Sequence, residues 1–199
     1  GLLVSPDVGS GIYQFPHRSF QEYLAGMHLA NEPDFVQRAV DLVNAAERRS
    51  PGSPAGQPAG PEDIGYWDET LKWAAGVVAH VLNSPRLWSD VPALARELCD
   101  DATRSPETRR HKLMLAAEIL TEMGENKLKD RKTRDGAQCL DRVQGLLLER
   151  TRSSEFPARE RAQYGMLLGN LGDPRAGVGV KNGLPDLDWI EIPPGPFTM

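Results

Sequence analysis

The chain has 199 residues, of which 40% are hydrophobic and 26% charged, proportions ordinary for a globular protein able to bury a helical core. Its net charge of -5 argues against generic nucleic-acid binding, which rests on a basic excess. No apolar run approaches the ~20 residues that a membrane-spanning helix needs, so no membrane partner is expected.

The opening Gly1-Leu2-Leu3-Val4-Ser5-Pro6 has neither the basic start nor the long apolar core of a signal peptide, and no initiating Met. The chain therefore reads as a piece of a longer polypeptide. Residues 2–17 predict a β-hairpin, with a Gly-rich turn around Asp7 to Gly11 between two apolar arms. A helix follows from Ser19 to about Ala30, where Ser19 can cap and Glu22 completes a capping box. Pro33 starts another, whose apolar face carries Phe35, Val36, Ala39, Val40 and Val43.

Residues 50–61 hold four prolines and three glycines with no charge or large apolar group, the composition of a flexible linker. Beyond it, Trp67, Leu71, Ala74, Val78 and Val81 form a stripe along a helix over residues 63–83. Further helices are predicted from Trp88 to about Ala102, Pro106 to Met123, Gly136 to about Thr151, and Pro157 to Leu171. The basic run from Lys127 to Arg134 lacks interleaved aromatics and reads as a solvated loop between helices. After Arg175 a Gly-rich loop leads to a strand over Asp186–Ile192, ended by Pro193 and Pro194.

The fold class is mainly α, as a helical bundle or a HEAT-like stack. An offset of 48 lays Leu120 on Leu168, Ile119 on Leu167, Met123 on Leu171 and Gly124 on Gly172, which suits a two-helix repeating unit. Cys99 and Cys139 sit inside separate helices and read as core-filling thiols rather than a disulfide framework, which favours a reducing, cytoplasmic setting. His17, His28, His80 and His111 show no metal spacing with one another or with cysteine. No G-x-x-x-x-G-K-[ST] phosphate loop occurs, so the chain alone is not expected to be an enzyme.

The run Tyr13-Gln14-Phe15-Pro16-His17-Arg18-Ser19-Phe20-Gln21-Glu22-Tyr23-Leu24-Ala25-Gly26 closely resembles the F-x-H-x-[ST]-F-Q-E-[YF]-x-A-[AG] signature. That signature ends the winged-helix region of NACHT-type signalling NTPases. The resemblance implies that residues 1–30 close a winged-helix region and that His17 reaches the β-phosphate of bound ADP. Phe15, Phe20, Tyr23 and Leu24 would be core residues and Glu22 a capping partner. Pro16, which removes a backbone donor just before the histidine, departs from a regular strand.

Residues 31–175 would then be a helical sensor or spacer. The end of the chain, Trp189-Ile190-Glu191-Ile192-Pro193-Pro194-Gly195-Pro196-Phe197-Thr198-Met199, resembles the W-[IV]-x-I-P-x-G-x-F-x-M-G opening of the formylglycine-generating-enzyme–sulfatase fold. Residues 184–199 would be its first strand. These resemblances imply a connecting region of a bacterial multidomain switch in defence or stress signalling. Its parent would hold ADP or ATP with Mg, the chain itself no cofactor. The partners implied are the upstream NTPase domain, a protein trigger on the helices, and a second copy on activation. Two alternatives stand beside this: an appendage of an oxidative formylglycine-generating-type enzyme, and a plain helical scaffold or binding module.

Overall fold

The computed structural model describes residues 15–46, 64–100, 105–181, 183–187, 189–191, 193 and 195. The turn and most of both arms of the expected N-terminal hairpin, and the Pro/Gly stretch 50–61, lie outside the described residues. The described chain is mainly helical, in the order α1 (Arg18–Ala30), α2 (Phe35–Ala46), α3 (Asp68–Gly76), a π-helical continuation (Val77–Leu82), α4 (Pro85–Trp88), α5 (Asp90–Asp100), α6 (Pro106–Met123), α7 (Glu125–Leu128), α8 (Gly136–Arg152) and α9 (Ala158–Asn170). A two-residue antiparallel pairing of β1 (Val180–Lys181) with β2 (Leu184–Pro185) follows.

Local chemistry sets most of these boundaries. Ser105 accepts the Thr108 backbone N–H at 3.2 Å and Pro106 occupies the first helical position, so α6 starts where the sequence signals it. Gly124 ends it at φ +84°, and Gly172 past the end of α9 stands at φ +85°. The two glycines matched by the 48-residue offset thus both take a positive φ just past a helix. Leu120 and Leu168, also matched, are both fully buried.

Three boundaries differ from expectation. The helix expected from Trp88 begins at Asp90 instead, as α5, and a separate short α4 ends at Trp88. Pro92 has no N–H to give the Trp88 carbonyl, so one helix cannot run through. The helix expected over 63–83 widens into the π form after Gly76. That shifts the phase of the apolar stripe: Val77, Val78 and Ala79 are buried in succession, while Val81 turns outward at 60% exposure. Lastly, residues 186, 187 and 189–191 are in no strand; pairing occurs at β1 and β2 instead.

The helices form two layers, entered alternately along the chain. One layer places α1 against α3, α3 against α6, and α6 against α9; the other places α2 against α5 and α5 against α8. The hairpins α5–α6 and α8–α9 tie the layers together. Within a layer, successive helices run parallel. Arg18 meets the Tyr66 carbonyl and Tyr23 meets Trp73 farther along; Asp68 meets His111 and Lys72 meets Glu118. In the other layer, Arg96 meets Asp135 and Asp100 meets Arg142. This is the stacked alternative of the two helical architectures.

The core lies between the layers, from Phe35 and Leu71 through Leu94, Leu115 and Leu120 to Leu147 and Leu168. Each such side chain contributes about 1.5–3 kcal/mol by leaving water. Gln144, buried in α8, donates its amide to the Leu171 carbonyl at 2.9 Å and to that of Gly172, closing the end of α9. The basic run is less solvated than expected. Leu128 and Thr133 are buried, and Thr133 Oγ1 donates to the Lys127 carbonyl at 2.6 Å.

Candidate functional site at the start of α1

His17 is the N-cap residue of α1, extended at φ -135° and ψ 141°, two positions earlier than the cap expected at Ser19. His17 makes no side-chain cap there, and the Phe20 N–H turns back to the His17 carbonyl at 3.2 Å. The imidazole is exposed and makes no hydrogen bond or ion pair among the described residues. Its ring sits 6.3 Å from that of Phe20.

Glu22 does not complete a capping box. It accepts from Arg18 Nε at 2.6 Å, one helical turn away. Arg18 also donates to the Tyr66 carbonyl at 3.1 Å and lies 4.7 Å over the Tyr66 ring, pinning the start of α1 to the segment that leads into α3. The motif's expected core residues divide. Phe15 is half-buried, and Tyr23 packs edge-on to Trp73 at 5.2 Å. Phe20 and Leu24 instead face solvent, 41% and 39% exposed.

The cause is Gly26. A Cβ there would lie 2.8 Å from both the Thr70 carbonyl and Trp73 Cβ, so this side of α1 is pressed onto α3. Tyr23 and Ala30 share that side. His17, Phe20 and Leu24, at i, i+3 and i+7, share the adjoining face, turned away from that contact.

A nucleotide phosphate fits this corner in kind: an exposed imidazole beside an uncapped helix N-terminus offers donors to an anion. The donor set is small, with no phosphate loop behind it.

Other polar constellations lie along the layers. Asp68 accepts from His111 Nε2 at 2.8 and 3.0 Å. His80 joins Glu122 and Lys127 at the far end of α3's layer. An open cleft of about 710 Å³ separates the ends of α6, α8 and α9, where Arg150 lies 4.9 Å over Phe156. No group of three or more metal-ligating side chains occurs among the described residues.

Sequence reading missed the Arg18–Tyr66, Asp68–His111 and His80–Lys127 contacts. One signal could have found them. Their partners are 48, 43 and 47 positions apart, close to the offset that superposes the repeat, so side chains one unit apart meet within a layer. Comparison with protein-family models, with curated proteins and with solved structures returns no match.

Proposed function

We propose that the chain is the non-catalytic connecting region of a NACHT-type nucleotide-switch signalling protein in the cytoplasm. It couples the ADP or ATP state of an upstream NTPase domain to a helical lever and onward to a formylglycine-generating-enzyme-like domain. The observation that carries this reading is the outward face of α1. His17, Phe20 and Leu24 lie together on the end helix of a layer and are all exposed. Apolar side chains at that spacing suit contact with another folded body.

The other end supports the same reading. Val180, Leu184, Leu187, Trp189 and Ile190 are all exposed, the last two at 88% and 84%. Such side chains suit a segment completed by a further domain. Loss of ADP from the upstream domain would release His17, and the stack would swing with α1 as its handle. A protein trigger on the helices and self-association on activation belong to the same proposal.

The test is His17→Leu in the full-length protein, followed by the release of a fluorescent ADP analogue. Release is expected to accelerate about tenfold or more, with raised activity in the absence of a trigger. An unchanged ADP off-rate would overturn the proposal.

A further inference from the structure

We propose that His80 is a proton-operated latch that joins the π-helical segment to α7. His80 lies within Val77–Leu82, the only π-helical stretch among the described residues, and π turns inside helices frequently mark functional sites. The segment ends at Asn83, a left-handed residue at φ 43°. Both nitrogens of the ring are engaged by groups of fixed role. Nε2 lies 2.8 Å from the Glu122 carbonyl, which can only accept, so Nε2 carries the proton. Nδ1 lies 3.0 Å from Nζ of Lys127, an ammonium that can only donate, so Nδ1 is bare. The latch thus requires a neutral imidazole in one tautomer.

Histidine is the side chain whose charge changes between about pH 5 and 8. A proton added to His80 must go to Nδ1, the atom that holds Lys127. The imidazolium and the ammonium would then stand face to face as like charges, and Lys127 must leave. The Nε2–H bond to Glu122 survives, since a charged donor strengthens it. Acid therefore unhooks α7 from the π segment and leaves the hold on α6 in place.

Most of the charged groups on the elements around the ring are paired with one another. From α6, Glu118 is paired with Lys72 of α3, and the Glu122 carboxylate lies beside Gly76. From α7, Glu125 is paired with Lys129. From α1, Arg18 pairs with Glu22 and His28 with Glu32. From α4, the Trp88 ring lies 5.8 Å from Lys127 Nζ and gives the released ammonium an uncharged face.

The test uses the intact chain. Long-range ¹H–¹⁵N correlation at pH 7.5 should show His80 protonated at Nε2. Hydrogen exchange at amides 128 and 129, which bond the Gly124 and Glu125 carbonyls, corrected for the intrinsic effect of pH, should speed about three- to tenfold as His80 takes up its proton. Lys127→Met and His80→Phe, each checked for native circular dichroism, should exchange fast at both pH values. A proton on Nδ1 at pH 7.5, or the same pH dependence in both variants as in the native chain, would overturn the latch.

Discussion

Burial drives the chemistry of Cys99 and Cys139, at the contact of α5 with α8. It pushes the Cys99 thiol up to about 12 and that of Cys139 up to about 11. Cys139 Sγ also donates to the Pro92 carbonyl at 3.4 Å. Since only the thiolate attacks, both should resist alkylation. Iodoacetamide at pH 8 is expected to modify either cysteine at least about a hundredfold more slowly in the native chain than in urea. Mass spectrometry of quenched samples measures the two rates, and rapid labelling of the folded chain would contradict the packing. The sequence made these core thiols legible, because each falls within a helical apolar pattern. Their raised values were not legible, since they depend on how completely the neighbouring helix covers each sulfur.

At the scale of single elements, two glycines separate close approach from empty space. Gly26 lets α1 touch α3, and an added methyl would strike the Thr70 carbonyl and Trp73. Gly145, within α8, has nothing within 4 Å of an added Cβ. Gly26→Ala should destabilise the chain by about 1–3 kcal/mol through overpacking. Gly145→Ala should stabilise it by about 0.5–1 kcal/mol, because alanine loses less backbone freedom in a helix. Urea denaturation of both variants checks the opposite signs.

The same glycine explains what could be read of the candidate site. The start of α1 was evident from its apolar period and from His17 before it. Its facing was not, because Phe20, Tyr23 and Leu24 look alike as apolar residues. Which of them turns inward depends on where a partner helix comes closest, and Gly26 fixes that point. The π turn was likewise invisible: a 3.6-residue period drawn through Val78 and Val81 looks continuous on paper.

For the whole molecule, the stack was legible through one self-match, and the order of its layers came only from packing. Its acid sensitivity follows from the end of the last unit. Asp173 is almost fully covered, and hydrogen bonds from the Arg175 side chain, foremost, then its backbone N–H, hold the Asp173 carboxyl below its usual range. Covering the carboxylate opposes that shift without reversing it. A lowered folded value stabilises the native state at pH above the unfolded value of about 3.9, and the contribution is lost as pH falls through the folded value. The Asp173 contribution should therefore be constant between pH 7 and 5 and shrink below about pH 4. Asp173→Asn should melt several degrees lower at pH 7 and approach the native chain near pH 2. Calorimetry across that range checks it; an equal difference at both extremes would be inconsistent with the pairing.

The parallel run of helices within each layer has a mechanical consequence. Among the described residues each helix packs chiefly on its neighbours in the stack, and α1 and α9 are not among the helices that pack extensively together. Tension applied at the two ends would be carried in series, hairpin by hairpin, as through the coils of a spring. Such a body stretches by small tilts between neighbours before any one of them ruptures, and it yields first at an end.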